Sequence, residues 1–204
     1  MSTVRKRIWT ARRKLMGNLI PSLIWAPLTI YGLYLIRKTG VIFGPGFWFI
    51  LAAQVLGLVA VNFFGLYDNQ RMKQHMMREA EVLYPHLRGW MMFVGYAPDG
   101  YGNLLDPHKD VGILILTPDS IEFVGDSHLI SLRRSQVLRV TYRANIHSLV
   151  GLGRWVTIEG RKDGKLFVLH FEPREAKTLL GDRRLSSNLK QKLENWLIRS
   201  GPPV

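Results

Sequence analysis

Residues 18–36, NLIPSLIWAPLTIYGLYLI, and residues 41–67, VIFGPGFWFILAAQVLGLVAVNFFGLY, decide the fold of this chain. The first run has 19 residues, the second has 27, and neither contains Asp, Glu, Lys, Arg or His. About 20 apolar residues of helix cross a bilayer core about 30 Å thick. Only Arg37, Lys38, Thr39 and Gly40 lie between the two runs, so the helices must return antiparallel. The pattern predicts a transmembrane hairpin over residues 17–67. Gly44, Pro45 and Gly46 interrupt the start of the second span, and Gln54 and Asn62 are its strongest polar groups. They are suited to bond the first helix or a partner helix. With no ionisable residue in either span, the hairpin offers no ion or proton path of its own.

Positive charge sets the expected orientation. Residues 1–16 form a basic tail with Arg5, Lys6, Arg7, Arg12, Arg13 and Lys14 and no acidic residue. Arg71, Lys73 and Arg78 follow the second span, against only Arg37 and Lys38 in the link. Lys and Arg near span ends stay on the cytoplasmic side. Both termini are therefore expected in the cytoplasm, with the chain in the inner membrane. A cleaved signal peptide would have a shorter apolar core and a small-residue cleavage site. Leu33, Tyr34, Leu35 and Ile36, followed at once by a second span, do not fit that pattern.

The formal charge of +13 divides unevenly. The tail holds +6, whereas residues 68–204 carry 20 basic and 15 acidic residues. A basic tail beside a bilayer gains about 1 kcal/mol per Lys or Arg from anionic headgroups. No base-reading motif or aromatic stacking platform accompanies it, so nucleic acid is not an expected partner. The chain has no cysteine, which removes disulfides, thiolate zinc sites and cysteine nucleophiles from consideration.

Residues 68–87 read as a juxtamembrane helix with an apolar stripe at Met72, Met76, Ala80 and Leu83, ended by Pro85. From residue 88 to 204 the chain reads as one small cytoplasmic domain. The period there changes to two, predicting strands at Trp90–Tyr96, Val111–Thr117, Ile121–Val124, His128–Leu132, Gln136–Tyr142, Arg154–Glu159 and Lys165–Phe171. A helix then starts near Ser187 or Asn188, with Leu185, Leu189, Leu193, Trp196 and Leu197 on one face. A separate short turn is expected over 173–184, broken near Gly181. The resulting class is α+β: a helical hairpin, then a small β-barrel or sandwich closed by a C-terminal capping helix.

The run GILILTPDSIEFVGDSHLISLRRSQVLRVTY, residues 112–142, resembles the core of a bacterial pleckstrin-homology-like or GRAM-like domain. The resemblance rests on Gly112–Thr117, on Ile121–Val124, and on the step through Ile130, Leu132 and Val137, and it extends over about residues 89–199. It implies lipid, peptide or protein binding. Phosphoinositide-binding members carry Lys/Arg clusters between their first two strands. Here Ala97–Asp110 holds Asp99, Asp106 and Asp110 against Lys109 alone, so that headgroup site is not carried over.

Two groups of residues are candidates for chemistry. Asp106, His108 and Asp110 lie within five positions, a spacing open to metal ligation, to acid–base work, or to simple turn and strand-entry hydrogen bonds. Arg133, Arg134, Arg139, Arg143, Arg154, Arg161, Lys162 and Lys165 form the second group, a candidate basic binding face for phosphate or carboxylate. No cofactor or metal is expected. The leading expectation is a non-enzymatic two-pass membrane protein that presents its domain to a protein partner or to anionic lipid. The alternatives are an accessory subunit of a larger membrane complex and a membrane enzyme using the Asp106–Asp110 loop.

Overall fold

The computed structural model describes residues 7–66, 68–98, 108–145, 148, 154–176 and 178–198. These form two compact units. One comprises the described residues within 10–67, the other those within 1–9 and 68–204.

The first unit is a helical hairpin. Helix α1, Ala11–Thr39, begins where the Thr10 side chain accepts from the Arg13 N–H, and it ends where Gly40 N–H donates to the Ile36 carbonyl. Arg37 and Lys38 therefore belong to the last turn of α1, where cations suit the negative end of the helix dipole. The turn is made by residues 40–44 instead of the expected 37–40. Pro45 opens α2, Pro45–Ala60, at a position that needs no N–H, so the Gly44–Gly46 stretch starts a helix and does not bend one. The chain continues as a single π-helical turn, Val61–Gly65. Gly46, Ala53, Gly57 and Ala60 form the buried seam of α2. Gly32 and Gly46 approach backbone to backbone, and Gly57 lies against the Trp25 ring.

The second unit is built on seven antiparallel strands: β1 Trp90–Tyr96, β2 Asp110–Leu116, β3 Ser120–Gly125, β4 Leu129–Arg133, β5 Val137–Arg143, β6 Trp155–Lys162 and β7 Lys165–Pro173. All lie within a residue or two of the expected spans, apart from the end of β6, which runs three residues further. The expected barrel or sandwich is not what they form. They make a single open sheet in the order β4-β3-β2-β1-β7-β6-β5. Strand β1 joins its halves, pairing with β2 over seven residues and with β7 through Val94, Gly95 and Tyr96. Strands β6 and β7 are linked by Asp163 and Gly164, both at positive φ (51° and 77°), a two-residue turn whose twist matches the strands and which glycine enters without steric cost.

Each face of the sheet carries its own layer of core. On one face Leu114, Phe123, Leu132, Val140, Ile158 and Phe171 meet Leu189, Leu193 and Trp196 of helix α4, Leu179–Ile198. Leu132 and Val140 come from opposite edges of the sheet and share this cluster, so the sheet curls round the helix. Trp196 donates its indole N–H to the Thr117 carbonyl at 2.7 Å, and the Arg134 guanidinium lies over its ring. Helix α4 starts at 179, not near 187, and passes through Gly181 unbroken. Thr178 caps it by accepting from the Gly181 N–H.

On the other face Phe93, Val111, Ile113 and Ile115 are covered by Met72, Met76 and Ala80 of helix α3, Asn69–Leu83. Leu83, the fourth member of the expected stripe, is exposed. With both faces covered, all seven residues of β2 are buried, which is why VGILIL reads as a continuous apolar run without alternation.

Candidate functional site

Asp110 opens β2 and is fully buried. Its Oδ1 accepts from the N–H groups of Val111 and Asp126 at 2.8 and 3.1 Å. Its Oδ2 accepts from the N–H groups of Ser127 and His128 at 2.9 and 2.8 Å and lies 3.0 Å from His128 Nδ1. The carboxylate is the template of the β3–β4 turn. It supplies acceptors to the backbone donors of the turn, among which the Asp126 N–H is shared with the Val111 carbonyl at 3.0 Å. Of the three roles open to it in the sequence, this is the turn and strand-entry role.

His108 faces elsewhere. Its ring lies over Gly95 of β1, where any side chain would overlap it. Arg174 Nη1 is 3.2 Å from His108 Nδ1, and a guanidinium only donates, so Nδ1 accepts and the ring proton sits on Nε2. His108 Nε2 lies 3.0 Å from Glu172 Oε2. Arg174 Nη2 reaches Asn69 Oδ1 at 3.4 Å, at the start of α3, and the guanidinium lies over the Trp9 ring. Trp9 donates its indole N–H to the His108 carbonyl at 3.0 Å, and Asp126 Oδ2 accepts the N–H groups of Ile8 and Trp9, both at 3.0 Å. Residues 8 and 9, α3, β7 and the β3–β4 turn are thereby laced by one buried polar network. Asp106 lies outside the described residues. His108 and Asp110 do not converge on a common point, and among the described residues no three His, Asp or Glu side chains are grouped to hold a metal ion.

The network lies on one row of β7. His170, Glu172 and Arg174 share the face opposite the α4 core, while Leu169 and Phe171 point into that core. His170 is buried, stacked on Trp155 with ring centres 5.0 Å apart. Its Nδ1 is 2.8 Å from Thr157 Oγ1, and Arg143 Nη1 is 3.5 Å from its Nε2. Burial, and then the Arg143 charge, push the imidazole below its usual pKa, with Glu159 opposing. Sequence reasoning passed over Glu172, Arg174 and Asn69. The signal was present in LHFEPR, residues 169–174, where polar side chains recur at every second position of an otherwise apolar strand.

The eight basic candidates do not present one face. Arg134 is committed to Trp196 and to the Pro118 carbonyl. Arg154 bonds Ser187 Oγ at 2.7 Å and stacks on Tyr142, 3.6 Å from its ring centre, on the α4 side. Arg139, Arg143 and Arg161 share the opposite face of β5 and β6, by their register with Glu159, Trp155 and Leu166. There Arg139 pairs with Glu159 at 2.7 Å. Lys162 and Lys165 flank the exposed β6–β7 turn, and Arg133 ends β4, exposed. Of the tail residues, Arg5 and Lys6 lie outside the described residues, Arg7 is exposed, and Arg12, Arg13 and Lys14 occupy the first turn of α1.

Asp182, in the first turn of α4, is buried and accepts the Ala176 N–H at 2.9 Å. Burial raises its carboxyl to a pKa of about 7, against the pull of that hydrogen bond and of Arg174.

Comparison of the chain with known protein families, with curated proteins and with solved structures finds no match.

Proposed function

We propose that this chain is a non-enzymatic, two-pass inner-membrane protein. Its hairpin anchors a cytoplasmic pleckstrin-homology-like binding domain at the membrane surface. The observation that carries this reading is the outward surface of the hairpin. Leu23, Ile30, Leu33, Phe43, Trp48, Val55, Val59 and Phe63 are all more than half exposed. A contiguous apolar surface of this extent is not tolerated in water, whereas lipid tails match it. A core helix of a soluble protein would bury most of this surface.

Arg12, Arg13 and Lys14 add support. Three cations in the first turn of α1, with no acidic residue beside them, oppose the helix dipole. Helix stability does not account for their position, and contact with anionic headgroups does. A binding role for the domain is supported by Arg139, Arg143, Arg161, Lys162 and Lys165 around the outer β5–β7 surface. The non-enzymatic reading is supported by Asp110, whose carboxylate is fully engaged in a turn.

The test is purification of the tagged chain from its native membrane in mild detergent, with mass spectrometry of the proteins and lipids retained. A stoichiometric protein, or phosphatidylglycerol or cardiolipin enriched over the bulk membrane, is the expected result. Release of the chain from the membrane by alkaline carbonate without detergent would overturn the reading.

A further inference from the structure

Two polar side chains lie in the second span, and the structure separates their fates. Asn62 is satisfied within its own helix, donating from Nδ2 to the Leu58 carbonyl at 2.8 Å. Gln54 is exposed, on the flank of the buried seam of Ala53 and Gly57. Among the described residues its amide has no hydrogen-bond partner. It is the tenth residue of the continuous helical stretch from Pro45 to Gly65, about 14 Å from that stretch's start at about 1.5 Å per residue. On the membrane reading proposed above, on which this inference rests, that depth is close to the bilayer midplane. No water reaches an amide there, and leaving it unpaired costs several kcal/mol.

We infer that Gln54 marks a lateral interface at which two copies of this chain pair in the membrane. Two features select a second copy over another protein. A glutamine amide carries both a donor and an acceptor, so it is complementary to itself. Two copies inserted in the same direction also place their Gln54 amides at the same depth, so a two-fold axis along the membrane normal lets each serve the other. An unrelated helix would need a polar group of its own at that level. Leu51 and Leu58 lie about 60° and 40° round the helix from Gln54, both exposed, and complete the apolar part of the interface. Val59 lies about 140° away and falls outside it.

The chain has no cysteine, so single cysteines report proximity without background. The full-length Leu58→Cys and Val59→Cys variants are oxidised in native membranes and run without reductant. A disulfide-linked homodimer with Leu58→Cys, and little with Val59→Cys, is expected. Adding Gln54→Leu to Leu58→Cys should weaken dimer formation by about five- to thirtyfold, and Gln54→Asn should retain most of it. Carbonate-resistant membrane residence is checked for every variant. Equal crosslinking at the two cysteines, a dimer indifferent to Gln54→Leu, or adducts only with other proteins would overturn the inference while leaving the membrane reading intact. Loss of the wild-type chain from the membrane pellet would overturn both.

Discussion

The carboxylate of Asp126 takes the backbone N–H of Trp9 at 3.0 Å across 117 positions of sequence, and the same oxygen takes the N–H of Ile8. Residues 8 and 9 thus belong to the β-unit although the whole hairpin separates them from it in sequence. Asp126→Ala removes the acceptor for both donors. The expected cost is about 1–3 kcal/mol for the docking of this segment. Hydrogen exchange followed by mass spectrometry should show residues 7–9 losing protection while β2 keeps its own. Unchanged protection at residues 7–9 would refute the role of Asp126.

Asp110 should be sensitive to even an isosteric change. Asp110→Asn places an NH2 group against backbone N–H donors in either orientation, Val111 and Asp126 in one and Ser127 and His128 in the other. A loss of about 2 kcal/mol is expected, read as a lower denaturation midpoint in detergent. If the effect is confined to a catalytic or metal-binding readout with stability unchanged, the turn-template role is wrong.

Asp182 and His170 should act on stability in opposite directions over an overlapping range of pH. Asp182 is raised from 3.8 to about 7 by burial, so between about pH 4 and 7 the folded state holds a proton that the unfolded state has released. Its contribution is complete below about pH 4 and is lost as pH rises through about 7, with a limiting slope of about 1.4 kcal/mol per pH unit. Asp182→Asn keeps the acceptor for Ala176 N–H and removes that slope, so its Tm should exceed wild type at pH 8 and match it near pH 4. His170 is lowered from 6.5 by burial and by Arg143. The unfolded state therefore takes up the proton first, and stability drops as pH falls below about 6.5. Thermal melts from pH 4 to 8 of the wild type, Asp182→Asn and His170→Gln separate the two slopes.

The placement of α3 predicts where a soluble fragment must begin. A fragment of residues 88–204 leaves Phe93, Ile113 and Ile115 without Met72, Met76 and Ala80 over them. It should aggregate. Residues 68–204 keep that cover and should give a larger monomeric fraction by size-exclusion chromatography. Equal behaviour of the two fragments would show that α3 is dispensable.

Much of this architecture could be read from local pattern. Strand β1 was expected over Trp90–Tyr96 and is found there, because GWMMFVGY sits between turn residues and changes period cleanly. Helix α4 was placed too late, since Ser187 and Asn188 resemble caps, whereas Thr178 has its Oγ1 within reach of Gly181 N–H. Met72 and Met76 showed an apolar stripe, but a stripe does not say what it covers. Its target, Val111, Ile113 and Ile115, is fixed only by tertiary packing. The same limit applied to Glu172 and His108: they are 64 positions apart in sequence and meet only because β7 pairs with β1 beneath the His108 ring. Basic residues that read as one face, such as Arg154 and Arg139, were divided by strand alternation between opposite sides of the sheet.

The docking of Trp9 on Asp126 also orders events during synthesis. At about 5–20 residues per second, Asp126 is made roughly 6–25 s after Trp9, their separation being 117 residues. Both hairpin helices and strands β1, β2 and β3 are made within that interval, before the carboxylate that receives the Ile8 and Trp9 N–H groups exists. The part of the β-unit made first thus waits for a carboxylate made more than a hundred residues later, and a nascent chain halted before residue 126 cannot capture it through that group.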